Sequence, residues 1–338
     1  MARLRRADIS GPGITRRRRG RGWEYRDETG ELIGDLETLD RIRELAIPPA
    51  WKDVWICPYP NGHIQAVGVD AAGRKQYRYH QRWRERRDQI KFEKMVEFAR
   101  ALPALRERAA EDVQSAGFPR ERVLACAVRL LDRGFFRIGG EEYAEENESF
   151  GLATMQKRHV TLEEGYALTF DYTAKSGKRQ VRSVVDPAVY AAVAALKRRR
   201  TGGPELLAYE ADGAWFDVKS TDINAYIKET TGADFSAKDF RTWSGTVLAA
   251  IALAVSGPAA ASKTARKRAI ARAIKEVAHY LGNTPAVARA SYIDPRVFDR
   301  FESGVTIGNA LVGLGDVSEL GEPAFQGAVE EAVLDLLE

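Results

Sequence analysis

The 338-residue chain has few of the residues that staple or metallate a fold. Its two cysteines, Cys57 and Cys126, stand in no metal or redox spacing, which removes a disulfide scaffold and a zinc ribbon from consideration. The four histidines, His63, His80, His159 and His279, are scattered singly, so a histidine-based metal centre has no basis in the sequence. There is no low-complexity tract, no internal repeat and no glycine loop ending in Gly-Lys-Ser/Thr to cradle a nucleotide phosphate. The longest apolar run, residues 247–255, falls well short of the ~20 residues that a bilayer-spanning helix takes. Residues 1–21 lack the apolar core of a signal peptide, and the expectation is a cytoplasmic protein.

What is present is ordinary globular material, 44% hydrophobic and 30% charged, long enough for two domains. The formal charge of +4 is unevenly spread. Residues 1–26 carry nine Arg against Asp8 and Glu24, whereas residues 309–338 carry seven Asp or Glu and no Lys or Arg. A basic front and an acidic tail suit a polyanionic partner engaged by the front. Taken alone, Arg16-Arg-Arg-Arg19 reads as a solvated, disordered arm. Strand patterns at residues 23–30, 55–57, 63–70 and 74–80, with a short helix at 35–45, give a small β-rich domain ending near residue 90. From Arg82 the period turns helical, as at residues 92–100 and 121–136. Residues 159–184 read as the one β segment of the second half, a hairpin turning at residues 173–178. Helices follow at 187–199, 220–230, 241–256, 264–281 and 285–292, and residues 323–337 are amphipathic through Phe325, Val329, Val333, Leu336 and Leu337. The fold class is α+β: an arm (1–22), a β-rich domain (23–90), a mainly helical domain (91–308) and an acidic tail (309–338).

Several side chains sit where their type asks for a partner. Residues 277–292 read as a helix ending at Leu281-Gly282 and a short helix capped by Thr284, with Pro285 at its first position. Asn283 falls in the break and Tyr292 about two turns further on. Such a tyrosine is most often a packed aromatic, but a hydroxyl beside an amide at a helix junction also suits a nucleophile and a phosphate clamp. Arg137, in Phe-Phe-Arg-Ile-Gly, is poorly placed for a solvated charge; its partner is either a local carboxylate such as Glu145 or Glu146, or a phosphate. Lys175 sits in the hairpin turn, where lysines are usually only solvated. Lys238 and Arg241 open an apolar helix against its macrodipole, which a bound anion would explain. Residues 74–94 hold nine Lys or Arg interleaved with Tyr77, Tyr79 and Trp83, a mixture suited to a nucleic-acid surface. Alternation points Lys75, Tyr77 and Tyr79 to one face of their strand, where plain packing is the competing role.

In chain order, Arg137, Lys175, Lys238-Asp-Phe-Arg241, Asn283 and Tyr292 resemble the active site of type IB DNA topoisomerases, in the small poxvirus-type and bacterial branch. The likeness takes in Gly73-Arg-Lys-Gln-Tyr77, residues 137–148 and residues 281–292, and so reaches over most of the chain. It implies a tyrosine recombinase/topoisomerase IB-like fold, acting as a monomeric clamp on double-stranded DNA in the cytoplasm at the nucleoid. Tyr292 would attack a phosphodiester to give a 3′-phosphotyrosine, and Arg137, Arg241 and Asn283 would hold the phosphate oxygens. Lys175 would protonate the leaving 5′ oxygen, with no cofactor, metal or ATP required. Lys238 resembles a lysine touching phosphate or base, and Tyr143 a phosphate-contacting tyrosine. Arg74, Lys75, Gln76, Tyr77 and Tyr79 correspond to a segment that contacts DNA upstream of the cleaved bond.

One position departs from the family pattern. The residue nine before the tyrosine is usually His, and here it is Asn283, which donates a hydrogen bond but brings no charge. His279, one turn earlier, is the other candidate for that role. Two further readings share these residues: a tyrosine recombinase, whose usual His-x-x-Arg is replaced here by Lys238-Asp-Phe-Arg241, and a DNA-binding relative that has lost catalysis.

Overall fold

The structure, a computed structural model, describes residues 3–257, 262–312 and 323–338, without the side chains of Tyr143, Glu145 and residues 323–326. The expected phosphate contact of Tyr143 and the apolar role of Phe325 therefore lie outside the described residues, as does the tail over 313–322. The chain divides into two compact units, Met1–Glu93 and Lys94–Glu338.

The first unit is built from β1 (Ile14–Arg19), β2 (Gly22–Arg26), α1 (Leu36–Glu44), β3 (Lys52–Ile56), β4 (Ile64–Val69) and β5 (Lys75–Tyr79). All strand pairs are antiparallel, in the order β2-β1-β3-β4-β5. The core is a small cluster of Ile14, Ile42, Val54, Ile56 and Ala66, to which α1 contributes Ile42. The run Arg16-Arg-Arg-Arg19 is not an arm but the body of β1, paired with β2 from Thr15↔Arg26 to Arg19↔Gly22. Period-two alternation explains this. Ile14 and Arg16 share a face: Ile14 enters the core, and the Arg16 guanidinium lies 4.1 Å from the Trp23 ring centroid. Arg16 also donates to the carbonyls of Ile47, Pro48 and Trp51, so its charge is held by backbone oxygens.

Helix α2 (Gln81–Asp112) is one continuous helix, longer than the pattern at residues 92–100 indicates, and carries the chain from the first unit into the second. There follow α3 (Arg120–Gly134), α4 (Glu141–Asn147), β6 (Val160–Leu162), β7 (Ala167–Ala174), β8 (Lys178–Val185), α5 (Pro187–Arg198), β9 (Ala208–Ala211), β10 (Ala214–Asp217) and α6 (Ser220–Thr231). The chain continues through α7 (Ala237–Ser256), α8 (Lys263–Leu281), α9 (Pro285–Tyr292), α10 (Pro295–Glu302), α11 (Gly308–Val312) and α12 (Pro323–Leu337). Helix α3 is buried at every residue from Val123 to Val128, as a central helix must be, and packs on α5, α6, α7, β8 and β9. Its Cys126 is wholly buried, which pushes the thiol up to about 12 and leaves it inert.

The hairpin β7–β8 forms as expected, but it is not the only β structure of this half. Strands β9 and β10 pair as a second hairpin across Asp212-Gly213, both at positive φ. Asp-Gly is a strong hairpin signal, and four-residue strands are too short to show a clear alternation. Helix α7 also starts earlier than residue 241, because the Asp239 carboxylate accepts the Ser236 backbone N–H and fixes the first turn there. The acidic C-terminal segment ends in a docked helix. Val329, Val333, Leu336 and Leu337 of α12 are buried, and Glu330 accepts from Arg106 and from Trp243 Nε1.

Candidate active site

Helix α8 ends in a Schellman turn. Gly282 has φ +61, its N–H donates to the His279 carbonyl, and the Asn283 N–H donates to the Ala278 carbonyl. A Cβ at residue 282 would also lie 2.7 Å from Gln180 Oε1, so glycine is required twice over. This turn leaves the carbonyls of Tyr280, Leu281 and Gly282 without partners inside the helix. Three arginines from three other places supply them. Arg182 of β8 donates to Tyr280 O, Arg241 of α7 to Leu281 O at 2.8 Å, and Arg137, just past α3, to Gly282 O at 3.0 Å. Arg137 also donates to Asn283 Oδ1 at 2.5 Å, and Arg241 to Phe135 O at 2.5 Å. Cations at the negative end of a helix are favourable, so the macrodipole and the orphan carbonyls together gather the guanidiniums.

Among the described residues neither Arg137 nor Arg241 pairs with a carboxylate. Arg241 is 4% exposed, and burial followed by repulsion from Arg137 pushes its guanidinium down to about 10, partly offset by Tyr292 and Tyr172. Tyr172, buried on β7, is raised by burial and lowered in turn by Arg182, Arg241 and Arg137. The position of Arg241 near the start of α7 thus has one explanation in the facing end of α8, independent of any bound anion.

Tyr292 is the last residue of α9, and its ring centroid lies 5.1 Å from the Arg241 guanidinium carbon. Its backbone is held against α7 at two adjacent residues. A Cβ on Gly245 would meet Tyr292 O at 2.5 Å, so only glycine admits this approach. The Thr246 hydroxyl donates to Thr242 O at 2.9 Å and accepts the Asp294 N–H at 3.1 Å, tying the residues after Tyr292 to the same helix.

The expected residues then meet in one place. Arg137, Lys175, Lys238, Arg241 and Tyr292 all line a cavity of about 330 Å³, with Ser149, Phe150 and the Ile138-Gly139-Gly140 backbone completing its wall. Lys175 reaches it from the β7–β8 turn, where Ser176 and Gly177 both take positive φ. Asn283 does not line the cavity but is joined to it through Arg137. His279 stays on α8, its carbonyl closing the Schellman turn. Five buried side-chain N or O atoms lack a hydrogen-bond partner among the described residues, and four of them cluster here: Ser149 Oγ, Arg182 Nε, Arg241 Nε and Asn283 Nδ2. All four can donate and three can only donate, so the cluster is matched to an acceptor-rich anion.

The family profile described as "Eukaryotic DNA topoisomerase I, catalytic core" matches residues 80–305, and "Bacterial DNA topoisomerase IB, N-terminal domain" matches residues 22–70. DNA topoisomerase 1B of Acanthamoeba polyphaga mimivirus is 31% identical over 276 residues, covering 80% of this chain and 81% of the viral protein. The chain belongs to the type IB DNA topoisomerases. DNA topoisomerase 1 of Daucus carota is 27% identical over 159 residues, 46% of this chain but only 18% of the plant protein. The type IB class makes the protein an isomerase.

In this type IB topoisomerase, residues on β5 separate by face. Lys75, Tyr77 and Tyr79 point outward, and the two tyrosine rings stack at 5.9 Å between centroids. Both are more than a third exposed, so core packing is not their role. Gln76 lies on the opposite face and donates to the Asp70 carboxylate, which Arg74 also pairs. Sequence reading passed over Arg182, Ser149, Gly245 and Thr246. For Arg182 a signal existed: it alternates with buried Val184 on β8 and so faces inward. The other three are defined by contacts between distant segments and left no pattern.

Proposed function

We propose that this type IB topoisomerase relaxes supercoiled duplex DNA by cutting and resealing one strand through a 3′-phosphotyrosyl intermediate. The Tyr292 hydroxyl attacks phosphorus, the 3′ phosphate passes to the phenol oxygen, and the 5′ oxygen leaves. Lys175 donates the proton that the 5′ oxygen takes up, and the phenol proton passes to solvent. Charge building on the non-bridging oxygens is met by Arg137 and Arg241, whose planar forks are charged at neutral pH and hold oxygens in pairs. Asn283 adds a neutral donor through Nδ2, while its Oδ1 already orients Arg137. Lys238, exposed at the cavity rim, contacts phosphate or base.

The observation that carries this reading is the 330 Å³ cavity in which a tyrosine and four cations converge, with unpartnered donors clustered around it. The phosphotyrosine conserves the energy of the broken bond, so resealing draws on no ATP. The arginines supply the positive charge that a metal ion brings to other phosphoryl transfers. In this reading the protein works as a monomeric clamp on double-stranded DNA at the nucleoid, with Lys75, Tyr77 and Tyr79 offering the outward face of the N-terminal unit and Tyr143 a further phosphate contact. Among the described residues no helix is long and apolar enough to cross a membrane.

A supercoiled plasmid incubated with the protein in EDTA and without ATP provides the test. Relaxation that disappears in Tyr292→Phe supports the proposal. Strand exchange between two sites without relaxation assigns a recombinase instead, and binding without either leaves a non-catalytic DNA-binding protein.

A further inference from the structure

Among the polar side chains that line the cavity, Ser149 is the one to which the expected chemistry gives no task. It follows α4 just after Glu148, whose φ of +46 reverses the chain. The segment beyond is pinned at both sides of the cavity. The Phe150 N–H donates to Thr173 O at 2.7 Å, two residues before Lys175, and the Leu152 N–H donates to the carbonyl of Arg137 itself at 2.8 Å. Ser149 is therefore held rigidly beside the strand end that carries Lys175, on the same short segment that anchors Arg137. The residue is 5% exposed, lines the cavity with Tyr292, and its Oγ has no hydrogen-bond partner among the described residues. A buried hydroxyl left unpartnered destabilises the free protein, and replacing it by a methyl group would remove that burden. An acceptor that arrives with the substrate would satisfy the hydroxyl.

We propose that Ser149 is a further catalytic residue, whose hydroxyl donates a hydrogen bond to a non-bridging oxygen of the phosphate attacked by Tyr292. The inference rests on the reading of this cavity as the cleavage site and adds to it a neutral donor fixed between the Arg137 and Lys175 positions. Such a donor strengthens as the oxygen gains charge in the transition state, so it acts on rate more than on affinity.

The test compares the full-length protein with Ser149→Ala in single-turnover formation of the covalent adduct. Three substrates are used: a natural duplex and the two methylphosphonate diastereomers at the cleaved position, each of which lacks one non-bridging oxygen. Ser149→Ala is expected to keep or raise the melting temperature and to leave duplex affinity within about threefold. It is expected to slow adduct formation on the natural duplex by about 10- to 100-fold. On one diastereomer the two proteins should react at equal rates, because the accepting oxygen is already gone. Equal rates on the natural duplex overturn the inference, as does a slowing by the same factor on all three substrates, which marks a structural role. If the wild-type protein forms no Tyr292-dependent adduct at all, the function proposed above fails and takes this inference with it.

Discussion

At the scale of single residues, the arginines of this site are set by a helix end before any substrate arrives. Tyr280, Leu281 and Gly282 present three successive carbonyls, and Arg182, Arg241 and Arg137 each take one. Donor capacity beyond these bonds is left for a phosphate, which is what preorganisation requires. Arg182 is the member that touches the helix end without lining the cavity. Arg182→Ala is therefore expected to lower the cleavage rate by about tenfold with little change in duplex affinity, as loss of a positioning contact does. Arg182→Lys should restore part of the rate, and single-turnover kinetics with a binding titration measure both. The charge on Arg241 carries a pH signature. Burial and Arg137 hold its guanidinium down at about 10, so the free protein loses this cation as pH rises past that value. The second-order rate constant for adduct formation reports the free protein and should fall there. In the saturated complex the phosphate favours the charged form, and the fall should move to higher pH. Coincident profiles would contradict this.

At the scale of elements, how far the sequence could be read depended on how local each determinant is. Helix α9 runs from Pro285 to Tyr292 as the Thr284 cap and Pro285 indicate, and the Thr284 hydroxyl accepts the Val287 N–H. The β7–β8 hairpin was equally plain from its alternation and turn. Strand β1 was hidden by its arginines, because the oxygens that hold Arg16 come from residues 47, 48 and 51. The partners of Arg137 were open to local reasoning, which allowed a nearby glutamate as readily as a phosphate. Its actual partner, the end of α8, lies some 145 residues away in sequence. The resemblance to a known active site named residues that share one cavity, Arg137, Lys175, Lys238, Arg241 and Tyr292; periodicity alone could not have grouped them. Gly245 shows what such non-local determinants imply. Gly245→Ala places a methyl group 2.5 Å from the Tyr292 carbonyl oxygen and must push α9 outward from α7. A displacement near 1 Å at a nucleophile lowers rate by about 100-fold. Adduct formation should fall to that extent while far-ultraviolet circular dichroism stays as in the wild type.

At the scale of the whole molecule, a sequence with few cysteines and scattered histidines builds its catalytic unit on packing and ion pairs. The acidic end of the chain takes part in that unit. Glu330 of α12 bridges Arg106 of α2 and Trp243 of α7, two residues beyond Arg241. Glu330→Ala leaves the Trp243 N–H and one edge of Arg106 without a partner, and should lower the unfolding free energy by about 1–3 kcal/mol. Denaturant titration reads this directly, and Glu330→Gln, which keeps an acceptor for Trp243, should lose less. The central claim, that distant side chains converge on one DNA phosphate with Tyr292 as nucleophile, is tested most directly by trapping. A duplex labelled on the cleaved strand is mixed with the protein and quenched in strong detergent. The expected result is a denaturant-resistant adduct with protein joined to the 3′ end, present for the wild type and absent for Tyr292→Phe. An adduct that survives in Tyr292→Phe, or relaxation without any trapped adduct, would contradict it.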